Sequence, residues 1–201
     1  MLPELQRHPH ARAVLAPALG AAAQASHAYL FHGPGGAGKR AAARALAAEL
    51  LAQGAPDPDG ARARVQSGAH PDLTWVVPSG AHEMLVSDID GPVISAASRT
   101  PFEAMRRVFV IERADEMGDD TANRLLKTLE EPASFVHLIL VSERPARVLG
   151  TIRSRCLQVR FEAPGEDVAA AEIESETGAR PATARACLRL ALGDPERARA
   201  L

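Results

Sequence analysis

The run Gly33-Pro34-Gly35-Gly36-Ala37-Gly38-Lys39 constrains this chain more than any other part of it. It fits the pattern GxxxxGK and lies between a short apolar segment, AYLFHG, and a helix-forming segment, KRAAARALAAELLAQG, that Gly54 is suited to stop. Strand, glycine-rich turn and helix in that order is the setting in which such a pattern holds phosphate. Glycines let backbone N–H groups converge on an anion, the start of the helix adds positive potential, and Lys39 is long enough to reach the outer phosphates. ATP or ADP is therefore the expected class of ligand.

A strand that feeds such a loop needs parallel neighbours, and the chain downstream alternates accordingly. DLTWVVP, VFVIE, VHLILVS and LQVRF read as four further strands. Between them, SDIDGPVISAASRTP places Ile89, Val93 and Ile94 on one helical face, with Ser87 or Asp88 as its N-cap. DDTANRLLKTLEEP opens with capping residues, carries Leu125, Leu126 and Leu129 as a buried stripe, and stops at Pro132. Ahead of the loop, the alanine-rich run from Ala11 to Ala25 reads as a helix that Pro17 begins or kinks. Residues 55–71, rich in Pro, Gly and charge, read as a loop with at most a short helix.

Parallel strands need crossover connections, and those are usually helical, so the fold class is α/β with a five-stranded parallel sheet covered on both faces. After Phe161 the pattern becomes helical only, in DVAAAEIESETG, PATARACLRLALG and DPERARAL, with Gly178 and Gly193 as stops. The expected division is a phosphate-loop domain over 1–162 and a small helical lid over 163–201.

Composition removes several classes of function. A net charge of -2 provides no overall field to hold a polyanion, so strong unaided DNA binding is not expected. Two cysteines, Cys156 and Cys187, are too few for a disulfide framework or a four-ligand zinc site, and the seven histidines lack metal-ligand spacing, so neither zinc nor another structural metal is expected. No apolar stretch has the length of a membrane span or the form of a signal peptide, which points to a cytoplasmic protein without a membrane partner.

Two positions depart from a working ATPase. Arg40 follows Lys39 where a Ser or Thr hydroxyl would hold Mg²⁺, and a cation cannot ligate a cation. The strand VFVI runs into Glu112-Arg113, where an ATPase of this architecture presents an Asp for the metal and a Glu to orient water. Arg113 cannot act as that base, Glu112 could still meet a metal with altered geometry, and Asp115 and Glu116 read as solvated charges at a helix start. Efficient hydrolysis and firm Mg²⁺ binding are not expected. Nucleotide binding stays open, with Arg40 able to contact phosphate.

The segments HAYLFHGPGGAGK, HPDL, ANRLLKTLEEP and TIRSRC occur here in the order found in the clamp-loader subunits of bacterial DNA polymerase III, members of the AAA+ family, which the chain resembles along its whole length. LLKTLEEP and SRC are the most specific of these. The resemblance implies membership of a five-subunit assembly that uses ATP to open a ring-shaped sliding clamp and place it on primed DNA. Motor subunits of the gamma/tau type keep GKT or GKS, an Asp-Glu pair and usually a four-cysteine zinc module. Arg40, Glu112-Arg113 and the cysteine-free 55–71 segment make this chain look like the non-motor, delta-prime type.

By the same resemblance Arg155, flanked by Ser154 and Cys156, is an arginine finger that reaches the γ-phosphate on a neighbouring motor, where it would neutralise charge on the transferred group. Ser154 and Cys156 shape the turn, Cys156 as a small buried hydrophobe. Arg197 lies near the place of a second-sensor arginine, which motors often put one position earlier, at Glu196 here. Arg144, Arg147, Arg153, Arg155 and Arg160 form a basic stretch that fits nucleotide, DNA phosphate or plain solvent. The implied partners are gamma/tau motors, delta, the sliding clamp and, through the complex, primed DNA. The helical collar that follows in such proteins is expected to be absent from this chain. The alternatives are a hydrolysing motor of the gamma/tau type, or a structural module with an inert nucleotide pocket.

Overall fold

Strand β1 (Ala28–His32) is paired on both edges, with β4 (Val136–Ser142) on one side and β5 (Leu157–Arg160) on the other. β3 (Arg107–Ile111) and β2 (Leu73–Val76) extend the sheet beyond β4, so the order is β2-β3-β4-β1-β5 and every pair is parallel. The computed structural model describes residues 2, 5–20, 24–81, 83–163, 165–191 and 195–201. Successive side chains on a strand point to opposite faces, and the runs YLF, VFVI and LILV are apolar at every position because both faces are covered. Tyr29, Phe31, Val108, Val110 and Ile139 bury with Leu46 and Leu50 of α2 (Lys39–Ala52), whereas Leu30, Phe109, Ile111, Leu138 and Leu140 bury on the other face with Leu125 and Leu129 of α5 (Asp119–Glu130). The alanines of α2 let its backbone lie close to the sheet. The expected α/β class and five parallel strands are what the structure has.

Three local expectations are corrected. Helix α1 spans Pro9–Leu19, starting at a proline whose missing N–H is harmless in a first turn. Pro17 lies inside it, and Gly20 caps it rather than a residue near 25, while residues 21–23 lie outside the described residues. Residues 55–71 contain a full helix, α3 (Pro58–Ser67), capped by the Asp57 carboxylate, which accepts from the Gly60 N–H at 3.0 Å, and closed by Gly68 in the left-handed region. Its cap, its N1 proline and its terminal glycine were all visible as signals. Only Ala61 and Val65 are buried, which left the helical period too weak to read.

The third correction concerns α4, which begins at Val86 after an N-cap at Leu85, not at Ser87 or Asp88. Asp88 instead turns back, accepting from the Leu85 N–H at 2.9 Å and from the Ser79 hydroxyl at 2.6 Å. Val86–Ile89 is followed by a wider π-helical turn over Asp90–Ser95, within which Pro92 has no N–H to donate. In α5, Leu125 and Leu129 are buried and Leu126 is half-buried.

After β5 the chain forms α7 (Glu166–Thr177), α8 (Pro181–Leu190) and the short α9 (Pro195–Ala198), which share a small core of Ala169, Ile173, Ala184, Leu188, Ala191 and Ala198. Gly178 ends α7 with φ 69°, and Gly193 lies outside the described residues. An Arg7–Glu172 ion pair joins α7 to the N-terminal segment.

The N-terminal end of β2 is organised by one carboxylate. Asp72 is fully buried and accepts backbone N–H bonds from Phe102 (2.6 Å), Glu103 (2.9 Å) and Ala104 (2.9 Å), so it acts as a template for the loop that leads into β3. Burial pushes its carboxyl up, but the three N–H groups and nearby His70 together outweigh burial and hold it below the ordinary range. A carboxylate depressed in this way gives stability that is present above its unfolded pKa, about 3.9, and lost as the pH falls through the folded value. Asp72→Asn is expected to lower stability to urea by about 1–3 kcal/mol at pH 7, with the gap to the parent narrowing below pH of about 4. An equal gap at pH 7 and about pH 3 would rule out the charged carboxylate as its source.

Candidate functional site

The phosphate loop leaves the C-terminal end of β1 through Gly33, whose φ is 149° and whose missing Cβ leaves room for the Phe161 carbonyl oxygen; an added Cβ would lie 2.2 Å from that oxygen. Gly36 and Gly38 also have positive φ, and Gly38 is the N-cap of α2 with no side-chain cap, so the first N–H groups of the helix are left to the loop. Lys39 is buried and its Nζ donates to the Gly33 carbonyl at 2.8 Å and to that of Pro34. Gly36, Ala37, Gly38, Lys39, Arg40, Glu112, Arg113, Val141, Ser142 and Glu143 line one cavity. Sequence reasoning assembled the first seven of these; Val141, Ser142 and Glu143 come from the end of β4, which only the sheet order brings beside the loop.

The two departures from a working ATPase meet in space. Arg40 Nε lies 3.0 Å from Glu112 Oε1, across 72 positions of sequence, and the Trp75 indole N–H donates to the same oxygen at 2.6 Å. Glu112 is only 5% exposed, so its charge needs both partners. Arg44, one turn further along α2, stacks over the Trp75 ring at 4.3 Å. Trp75 is the residue sequence reasoning missed here. Position 40 has no hydroxyl for Mg²⁺, and the Glu112 oxygen nearest it is already taken by a guanidinium and an indole.

Arg113 also serves the chain itself. It is a non-glycine residue with φ 53°, and its Nε donates to Glu116 at 2.8 Å. The reading of Asp115 as a solvated charge is overturned: it is 5% exposed and accepts from Arg144 Nε at 2.9 Å and from the Glu143 N–H at 3.2 Å. Burial raises its carboxyl, while Arg144, Ser142 and the N–H donors bring it below the ordinary range. The 3-10 turn Ala114–Glu116 after β3 is thereby tied to the loop after β4, and Arg144 is anchored.

Arg155 lies in the turn between α6 (Gly150–Arg153) and β5. Its Nη1 donates to the Thr151 carbonyl at 2.9 Å, and its Nη2 pairs with Glu130, the last residue of α5, at 2.6 Å. Ser154 Oγ donates to the Thr151 carbonyl at 3.0 Å, closing the same turn. Cys156 is buried, and burial pushes its thiol up to about 12, so it stays a neutral thiol at physiological pH. Because β1 and β5 run parallel with Tyr29 opposite Leu157 and His32 opposite Arg160, Arg155 precedes the N-terminal end of β5, whereas the phosphate loop follows the C-terminal end of β1. Five residues of strand span roughly 16 Å, so Arg155 and the chain's own phosphate loop lie at opposite ends of the sheet.

Three arginines of the basic stretch have carboxylate partners on this chain. Arg144 is held by Asp115, Arg155 by Glu130, and Arg160 lies 3.5 Å from Glu162. Arg197 is exposed on α9 and is not among the residues lining the cavity above. No helix among the described residues is long and apolar enough to cross a membrane.

Over 161 residues the chain is 40% identical to DNA polymerase III subunit delta' of Pseudomonas aeruginosa, a match covering 78% of this chain and 48% of that protein. It is 40% identical over 145 residues to the subunit of the same name from Bacillus subtilis, covering 68% of this chain and 42% of the relative. The chain thus spans about half the length of the curated relatives it matches. A solved structure of the Thermotoga maritima RuvB P216G mutant superimposes over all of this chain and 61% of that one, with a TM-score of 0.64 at 14% identity, a likeness that shows the fold alone. With a family match that runs from residue 9 to residue 165, the chain belongs to the family described as DNA polymerase III, delta subunit.

Proposed function

We propose that this chain is a non-motor, delta-prime-type subunit of a bacterial clamp loader, one that does not itself hydrolyse ATP and lends Arg155 to the nucleotide site of a neighbouring motor subunit. The observation that carries the reading is the placement of Arg155 at the end of the sheet opposite the chain's own phosphate loop. An arginine so placed is far from the chain's own loop, which fits a phosphoryl group held by another subunit, where it would neutralise charge as the group transfers. The partners in this reading are gamma/tau motors, delta, the sliding clamp and primed DNA held by the whole assembly, in the cytoplasm. Helices α7, α8 and α9 form its small helical lid in this reading.

The chain's own loop is read as structural. Arg40 and Glu112 satisfy each other where a motor would hold Mg²⁺, and Arg113 faces Glu116 where a motor would place a base. ATP or ADP could enter against Lys39 and the loop N–H groups, but without a metal-assisted reaction. The motor alternative is favoured by likeness to gamma/tau subunits and opposed by Arg40, Glu112 and Arg113, and Arg197 is not used in this reading.

Two experiments test the reading. In calorimetry, ATP binding by the parent chain is expected to be no stronger with Mg²⁺ than without. Arg40→Thr combined with Glu112→Asp and Arg113→Glu is expected to gain at least about tenfold in affinity on adding Mg²⁺, because hydroxyl and carboxylate then face the metal. Mg²⁺-strengthened binding with steady turnover by the parent would establish a motor instead. In the assembled loader, Arg155→Ala is expected to lower the DNA-stimulated ATPase to what the other sites sustain, since a finger is worth about 10³–10⁵ at the site it serves. An unchanged rate, with the variant folded and incorporated, would remove the finger.

A further inference from the structure

Glu130 occupies a place that works against it. It is the last residue of α5 and is followed by Glu131, so two carboxylates sit at a helix C-terminus, where the helix dipole disfavours negative charge. Glu130 is compensated by the Arg155 guanidinium at 2.6 Å, reaching from the turn ahead of β5. Arg155 spends its other terminal nitrogen on the Thr151 carbonyl of its own turn. Both Nη groups, the end of the side chain that would lead across an interface, therefore point back onto this chain, and the side chain is only 35% exposed. The Nε edge and the second hydrogens of the Nη groups remain, and these cannot extend outward while the tip is held.

We propose that the Glu130 carboxylate is a latch that holds Arg155 folded against its own subunit until a phosphoryl group on the neighbour draws it away. The proposal rests on Arg155 acting in trans. The latch is suited to release: Glu130 is 49% exposed, and an ion pair so open to water holds weakly against the higher charge of a nucleotide's phosphates. Glu130 is a positioning residue that acts through Arg155 and touches no substrate.

The test uses the assembled loader and its ATPase with and without primed DNA. Glu130→Ala is expected to raise the rate without DNA about two- to fivefold, the range an exposed pair can hold back, and to leave the DNA-stimulated rate nearly unchanged because the latch is then already open. Glu131→Ala, with the same change in charge, is expected to leave both rates alone. Glu130→Ala combined with Arg155→Ala should behave as Arg155→Ala does. Should Glu130→Ala prove poorly folded, Glu130→Gln keeps its shape and should show a smaller rise in the same direction. If Arg155→Ala lowers the stimulated rate but neither Glu130 variant raises the DNA-free one, the latch is wrong and the finger stands. If Glu130→Ala lowers both rates as Arg155→Ala does, Glu130 orients the finger and the latch is overturned. If Arg155→Ala has no effect, the finger fails and the latch with it.

Discussion

All five strands run the same way, and both edges of β1 are paired, so one end of the sheet collects every strand's C-terminus and the other every N-terminus. The separation of Arg155 from the phosphate loop depends on this constraint. The glycine loop leaving β1, the Glu112 that follows β3, and Ser142 and Glu143 at the end of β4 converge at one end, while the turn carrying Arg155 is left at the other. Covering such a sheet on both faces requires helices on each side, and α2 and α5 supply them with leucines at helical spacing.

Charges at the loop end stand in matched pairs. Arg40 alone would put an uncompensated cation beside the phosphate loop, and Glu112 alone would bury an unpaired carboxylate, a costly state. Together, with Trp75 donating to the same oxygen, they close on each other. Asp115 and Arg144 do likewise across the two loops beyond β3 and β4. These contacts tie the loops at this end of the sheet to one another.

The ion pairs at the two ends of the sheet differ in burial, and burial sets what they can do. Glu112 and Asp115 are almost fully enclosed, so releasing their arginine partners would strand charge in a poor solvent for it. Glu130 and Arg155 are both partly in water, and the same chemical pairing there is replaceable. The pairs at the loop end are thus fixed by burial, and the one at the other end is open to water.

Local chemistry in the sequence determined the strands, the phosphate loop, α5 and the place of Arg155, because apolar runs, glycines with positive φ and the Leu125–Leu129 spacing are properties of neighbouring residues. α3 was signalled by Asp57, Pro58 and Gly68, but two buried residues made too faint a stripe to count as a helix, and the start of α4 was displaced because Asp88 bonds back to Leu85 and Ser79 rather than capping forward. The pairs Arg40 with Glu112, Asp115 with Arg144 and Arg155 with Glu130 were decided only by the tertiary structure. Each joins residues far apart in the chain, and sequence records a charge without recording which distant charge the sheet order will bring within about 3 Å of it.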